Sequence, residues 1–476
     1  MTRSGETLLS VSPADPGDVL GAFPVADAAA IDAAVARARG ALRAWRDAGF
    51  DARARILRRF RDLARESAEE LARLVAREMG KALWDARSEA ALLPAKVDAT
   101  LEDGMRLVAP LAAGPGARTS VHPRGVLAVL GPFNFPAHLP NGHIVPALAT
   151  GNTVVLKPSD QTPAVAEWMR ALWRRAGLPD GVLEIVHGGP ETGRGLALHP
   201  GVDGVLFTGS WPVGRALAEA TLDPPCKLLA LEMGGSNPVL VLEDADLELA
   251  VAESAVSIAA TTGQRCSCAR RLFVHRAVID AFAERLVRVL RGVRVGPPLA
   301  EGVFMGPLVS LRAHEAVVRA RAQTVAAGGE RLLDADPGLP PPWVGPGLVR
   351  YSDTTQRHSV QREELFGPEA ALYAVDDLEH AIAAANDSEY GLVASVFTRD
   401  RARWERCVGR IATGLLNWNR GTIGASGRLP FGGQRRSGND RPAGIFSTLY
   451  CTWHQAHLEG AEPFDPAKLP PGMPRP

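Results

Sequence analysis

From Val121 onward the chain alternates short apolar runs with helical stretches, and this alternation constrains the fold more than any other feature. The runs "GVLAVLGPF", "GNTVVLKP", "GVLEIVHGG", "GVLFTGS" and "KLLALEMGG" form one series. A second begins near Pro238 with "PVLVL", "RRLFVH", "EAALYAV", "ASVFTRD" and "GLLNWN". Strands that alternate with helices imply a parallel, doubly wound sheet with helices on both faces. The first 100 or so residues read as helix instead. Asp27 is a plausible N-cap, and Ile31, Val35, Ala38, Leu42 and Trp45 then share one helical face. The same periodicity predicts helices over roughly 51–78 and 82–108. The Pro/Gly-rich "DADPGLPPPWVGPG", residues 334–347, reads as a surface loop. A chain of 476 residues is too long for one hydrophobic core. The expected fold class is therefore α/β, with two such domains, one dominated by 121–233 and one from about 234 onward.

Charge narrows the partners. Lys plus Arg and Asp plus Glu both number 53, so no basic surface for nucleic acid or an acidic membrane is expected. Arginine-rich segments such as "RARILRRFRDLARE" set their charges opposite apolar positions, as a solvated helix face does. The start, "MTRSGETLLSVSPADPGD", is polar, and no apolar run approaches the roughly 18 residues that span a bilayer. Five cysteines (Cys226, Cys266, Cys268, Cys407, Cys451) suit a reducing compartment. A cytoplasmic, soluble protein is expected.

The stretch "TTGQRCSCARR", residues 261–271, carries the first candidate chemistry. Its Cys-x-Cys lacks the partner pair or histidines of a zinc site, and no metal is expected. A disulfide two residues apart is geometrically awkward. Cys266 alone reads as either buried filler or nucleophile. Arg265 and backbone N–H groups of a turn at Gly263 would favour a thiolate, the form that attacks a carbonyl. Glu232 in "LALEMGGSNP" ends an apolar strand, where a raised pKa would suit a general base. Asn134 in "GPFNFPAHLPNGH" precedes Pro136, which suits the first turn of a helix, and its amide could donate to an oxyanion. In "FTGSWPVGR", Gly209 and Gly214 bracket a strand-to-helix turn with Ser210 near the helix start, a geometry suited to phosphate. Lys157 and Asp160 of "LKPSD" end another strand of the same series, where a dinucleotide crevice forms.

Together these motifs resemble the aldehyde dehydrogenase family over nearly the whole chain. "LEMGG" and "GQRC" are similar to its base and nucleophile motifs, and their spacing of 34 residues (266 − 232) also matches. "GPFNFP", "KPSDQTP", "FTGSWPVG", "EELFGP" and "LPFGG" are similar to its other signatures. The resemblance implies Cys266 as nucleophile, Glu232 as base and Asn134 as oxyanion donor. It implies NAD as cofactor, held by Phe133, Lys157, Asp160, Gly209, Ser210, Gly214, Glu364 and Phe366. It also implies an NAD-binding domain (1–103 and 124–233), a catalytic domain (234–441) and a small bridging β region (104–123 and 442–476) that pairs subunits into a homodimer or homotetramer.

A closer likeness within the family rests on "NFPAHLPNGHIVPAL", "GQRCSCARR", "LNWNRGTIGAS" and "SGNDRP". It implies an acidic semialdehyde, oxidised through a cysteine thiohemiacetal and thioester. His138, Gly142, Arg265, Arg420, Arg428 and Phe431 would border the substrate: cations for its carboxylates, and Gly142 to leave room for the acyl chain. Arg435 and Arg436 follow "LPFGG" in a loop expected to shape the substrate entrance. Three alternatives stand beside this reading. In a CoA-acylating dehydrogenase Glu232 would be superfluous, and in a thiol hydrolase the "KPSD" and "FTGS" motifs would be. A non-catalytic protein would need none of the three catalytic candidates.

Overall fold

A computed structural model describes residues 6–223, 227–354, 362–460 and 463–475. Cys226 lies outside the described residues. The chain opens with a hairpin, β1 (Thr7–Ser12) and β2 (Asp15–Pro24), followed by helices α1 (Ala28–Asp47), α2 (Gly49–Glu66), α3 (Ala68–Met79) and α4 (Leu83–Glu102). The hairpin corrects the all-helical expectation for this region. Its strands are mostly exposed, so they show no apolar run to read. The expected N-cap stands: the Asp27 carboxylate accepts the Ala30 N–H at 2.9 Å. Ile31, Val35, Ala38 and Trp45 are buried, whereas Leu42 is half-buried. The helix expected over 51–78 is broken at Ser67, and the next ends at Glu102, with a 3₁₀ turn over Gly104–Val108.

Strand β3 (Ala117–Pro123) leads into β4 (Val126–Leu130), α5 (His138–Ala149), β5 (Thr153–Lys157), α6 (Pro163–Arg175), β6 (Leu183–Ile185), α7 (Pro190–Leu198), β7 (Gly204–Thr208), α8 (Trp211–Ala220) and β8 (Leu228–Glu232). These five strands after β3 form one parallel sheet in the order β6-β5-β4-β7-β8. Successive side chains of a strand point to opposite faces. Leu127 and Val129 of β4 therefore join the core beneath α2–α6, while Val126, Ala128 and Leu130 join the core beneath α1, α7 and α8. Each Leu or Val buried in this way contributes about 1.5–3 kcal/mol, and the double burial explains why these strands are predominantly apolar.

The second sheet has the order β11-β12-β13-β10-β9-β15-β16. Its strands are β9 (Asn237–Val241), β10 (Ala269–His275), β11 (Glu330–Asp334), β12 (Gly347–Tyr351), β13 (Glu369–Val375), β15 (Val393–Phe397) and β16 (Leu415–Trp418), with β14 (Tyr390–Gly391) outside it. Only β11 runs antiparallel to its neighbour. It and β12 flank the Pro/Gly-rich loop and extend the sheet beyond the five expected strands. Helices α9 (Leu247–Ala259), α10 (Ile279–Arg291) and α11 (Leu311–Ala326) lie among these strands in the chain. Near the C-terminus come β17 (Pro430–Phe431), β18 (Gln434–Arg435), β19 (Ala443–Gly444) and β20 (Thr452–Leu458). Strand β20 pairs antiparallel with β3 from Thr452↔Pro123 to Leu458↔Ala117. Among the described residues, no helix is long and apolar enough to cross a membrane.

In the first sheet the chain builds outward from β4 to β6, then crosses back to β7 on the other side. The loops after β4 and β7 therefore part at the carboxyl edge, where such sheets leave a crevice.

Candidate active site

The Cys266 turn joins α9 to β10 and is held from several sides. Thr261, Thr262 and Gly263 all adopt left-handed backbone, with φ of 55°, 55° and 68°. For a β-branched residue this costs of order 1–3 kcal/mol. Local hydrogen bonds offset it. Thr261 Oγ1 donates to Asp85 at 2.5 Å, and Thr262 Oγ1 donates to the Gly306 carbonyl at 2.9 Å. A Cβ on Gly263 would stand 2.1 Å from the carbonyl carbon of Gly367, so only glycine fits. Asn237 Nδ2 donates to the carbonyls of Cys266 at 2.7 Å and Cys268 at 2.8 Å. Gln264 accepts the Val309 N–H at 3.0 Å on its side chain. Its carbonyl accepts Asn134 Nδ2 at 2.9 Å. That bond ties the expected oxyanion donor to the nucleophile turn through one of its two amide hydrogens. Pro136 lies in the turn before α5, not in its first turn; the helix starts at His138.

Electrostatics bear out only part of one expectation. Arg265 does lower the Cys266 thiol, but its guanidinium pairs with buried Asp85 at 2.6 Å and its effect is outweighed. Burial pushes the Cys266 thiol up, and the nearby carboxyls of Glu364 and Glu232 add to that. Glu232, the last residue of β8, is 6% exposed, and burial raises its carboxyl well above the ordinary range. Its Oε1 accepts the Ala443 N–H at 3.3 Å, whereas its Oε2 is buried without a partner among the described residues. The segment after "LPFGG" covers it: Ser437 accepts the Met233 N–H on its carbonyl at 2.9 Å, and Asn439 Oδ1 accepts that of Leu231 at 2.9 Å. A carboxyl of this kind, neutral at low pH and ionised as pH rises, has the character of a general base.

The expected cofactor residues gather at the crevice and fit a nicotinamide dinucleotide. Ser210 is the N-cap of α8, is exposed, and makes no capping bond with its hydroxyl, leaving the oxygen and the helix N-terminus for a phosphate. A Cβ on Gly214 would stand 2.4 Å from Met233 Sδ, so glycine lets α8 approach the end of β8. Lys157 ends β5, with its pKa lowered by burial and partly restored by Asp160. Phe133 and Phe366 meet edge to face at 5.7 Å. Glu364 Oε1 accepts the Gly235 N–H at 3.1 Å, and burial raises its pKa to about 7. The turn that follows Glu232 thus also holds Glu364.

The substrate residues fare unevenly. Arg265 is committed to Asp85. Arg428 pairs with Glu102 and Asp103 on the outside, with its side chain 52% exposed. Neither supplies a free cation. His138 is half-buried and neutral: burial, with Lys96 and Lys81 nearby, lowers its pKa to about 3. Its Nδ1 is buried without a partner among the described residues. The N-terminus of α5 is also taken, because Glu89 Oε1 accepts the N–H groups of Ala137 at 2.9 Å and His138 at 3.0 Å. Arg420 is exposed and has no ion-pair partner among the described residues. Gly142 faces open space, with nothing within 4 Å of a Cβ built there. Phe431 is half-buried on β17, beside Gly432, where a Cβ would stand 2.9 Å from Glu232 Oε1. Arg435 donates to the Asn386 and Ser388 carbonyls. Arg436 pairs with Glu389 and lies 4.0 Å from the Trp211 ring, so it flanks the start of α8.

Sequence reasoning missed the supports of the site: Asn237, Gln264, Asp85, Glu89, Lys81 and Arg270. Lys81, Asp85 and Glu89 recur every fourth residue around the start of α4, and all three are buried, with Lys81 bonded to Glu89 at 2.8 Å. That spacing on an otherwise apolar helix face was a readable signal.

Comparisons with known proteins bear on the family and the fold. A profile of the Aldehyde dehydrogenase family matches residues 1–455. An N-succinylglutamate 5-semialdehyde dehydrogenase of Chromobacterium violaceum is 42% identical over 481 residues, covering 99% of this chain and 98% of the relative. One of Vibrio cholerae serotype O1 is 41% identical over 449 residues, covering 93% and 92%. The crystal structure of an NAD-dependent aldehyde dehydrogenase from Sinorhizobium meliloti superposes with a TM-score of 0.91 at 32% identity, covering 97% of this chain and 93% of that one.

Proposed function

The chain belongs to the aldehyde dehydrogenase family, and we propose that it oxidises N-succinyl-L-glutamate 5-semialdehyde to N-succinyl-L-glutamate with NAD, a step of arginine breakdown. The family oxidises small aldehydes to carboxylic acids with a nicotinamide cofactor. The observation that carries the substrate is the near full-length identity of 42% to a relative of that name.

In this reading Cys266 releases its proton to solvent water and the thiolate sulfur adds to the aldehyde carbon. Asn134 Nδ2 and the Cys266 N–H donate to the oxyanion. The bound dinucleotide supplies the hydride acceptor. A thioester then remains on Cys266. Glu232 takes a proton from water through its unpartnered Oε2, the water attacks the thioester carbon, and the acid leaves. Phe133, Lys157, Asp160, Gly209, Ser210, Gly214, Glu364 and Phe366 hold the cofactor, and Glu364 and Phe366 bring its ring end toward Cys266. Asp160 accepts ribose hydroxyls and repels a 2′-phosphate, which favours NAD over NADP. Arg420, without an ion-pair partner among the described residues, is a cation that can meet a substrate carboxylate, with Gly142, His138 and Phe431 shaping the channel. Residues 1–103 and 124–233 form the cofactor domain and 234–441 the catalytic domain. Residues 104–123 and 442–476 bridge subunits in a homodimer or homotetramer; the exposed Trp453 and Leu458 of β20 suit that role.

The test is a panel comparing N-succinylglutamate, succinate and glutarate semialdehydes with neutral aldehydes of similar length, each with NAD and NADP. N-succinylglutamate semialdehyde with NAD is expected to give the highest kcat/KM. A better neutral aldehyde refutes the acidic substrate. A better smaller semialdehyde refutes the pathway but not the chemistry. A clear NADP advantage refutes the role of Asp160.

A further inference from the structure

Arg270, on β10, is 5% exposed and spends its guanidinium on backbone carbonyls of two different loops. One nitrogen, Nη2, donates to Gly263 at 2.5 Å, three residues before Cys266. The other, Nη1, donates to Gly367 at 2.6 Å and Glu369 at 3.5 Å, just after Phe366. The two loops touch backbone to backbone, since a Cβ on Gly263 would lie 2.1 Å from the Gly367 carbonyl carbon. The positive charge of Arg270 also reaches Glu364, whose carboxyl it lowers against the effect of burial. The Cys266 turn has other anchors in Asn237 and Gln264. For the loop of Glu364 and Phe366, Arg270 is a direct tie to that turn.

We propose that Arg270 is a positioning residue that fixes the ring-binding loop of the cofactor relative to Cys266, so that hydride transfer depends on it far more than acylation of the thiol does. The proposal rests on the dehydrogenase reading above. A planar guanidinium holds carbonyls of the two loops from two separate nitrogens in a rigid fork, whereas a lysine ammonium offers one nitrogen with rotatable donors on a flexible stem. A misplacement of about 1 Å between reacting groups costs about 100-fold in rate.

The experiment separates the two chemistries in the full-length enzyme. Aldehyde oxidation needs both loops. Hydrolysis of p-nitrophenyl acetate without cofactor needs only the thiol and the base: the thiol expels p-nitrophenolate, and water then releases acetate from the thioester. Arg270→Met is expected to lower NADH formation about 100-fold and raise the KM for NAD, while ester hydrolysis falls by no more than about threefold. Arg270→Lys is expected to lie between. Proportional losses in both activities, or no loss in either, overturn the proposal. If Arg270→Met does not fold, Arg270→Lys decides alone: a fall in NADH formation at least about tenfold larger than in ester hydrolysis supports the proposal, and a smaller difference overturns it. A wild-type enzyme that forms no NADH from any aldehyde refutes the dehydrogenase reading itself, an outcome distinct from failure of the clamp.

Discussion

Glu232→Gln is expected to do two opposite things: cripple turnover and stabilise the fold at alkaline pH. Glu232 is 6% exposed, and its raised pKa comes from burial, opposed by the Ala443 N–H. The sign follows from linkage. At low pH the carboxyl is neutral in both folded and unfolded chains and makes no difference. As pH rises past about 4.3 the unfolded chain ionises first. The folded state then loses stability until its own, higher pKa is passed, and above that the full penalty applies. Each tenfold displacement of the acid constant is worth about 1.4 kcal/mol. Glutamine keeps the shape and carries no charge, so the variant should melt above the wild type near pH 9 and gain nothing near pH 4. Kinetically, loss of a general base costs about 10²–10⁴-fold. The loss should fall on thioester hydrolysis, because hydride transfer precedes it. Stopped-flow absorbance should then show a rapid burst of NADH followed by a slow steady state, and the burst should be close to that of the wild type. Equal slowing of burst and steady state refutes the base role. A variant that melts lower than the wild type near pH 9 refutes the electrostatic account.

Cys266→Ala should abolish NADH formation. Cys268→Ala should retain most of it, since Cys268 is fully buried and its thiol donates to the Ala260 carbonyl at 3.8 Å, away from the reacting groups; comparable losses from both would mean that the pair acts together. Asp85→Asn should cost about 3–5 kcal/mol of stability, because it leaves the largely buried Arg265 guanidinium unpaired. It should also let that cation lower the Cys266 pKa further than it already does, moving the pH profile of iodoacetamide alkylation downward; an unchanged profile and melting temperature would refute the view that Asp85 offsets Arg265.

Much of the protein was legible in the sequence because the relevant signals are local. Ten apolar runs became ten strands, since a strand buried on both faces is apolar at most of its positions. The turn glycines could be singled out, and the three catalytic candidates stood in motifs whose order and spacing survive without coordinates. The hairpin of β1 and β2 escaped because exposed strands carry no such pattern. The break at Ser67 escaped because the apolar period runs on through it.

What the chain could not announce was the destination of its charges. Arg265 stands beside Cys266 in the sequence, yet its partner Asp85 lies 180 residues away. Arg428 is bound to Glu102, 326 residues away. Arg270, outwardly one more arginine in an arginine-rich chain, joins Gly263 to Gly367. Periodicity, capping and motif spacing depend on neighbours along the chain, and the sequence determined the fold class, the family and the catalytic candidates through them. Whether a buried cation is free or spent depends on which distant carboxylate or carbonyl folding brings within 3 Å of it, at energies set by a low local dielectric. Only the packed tertiary structure decides that.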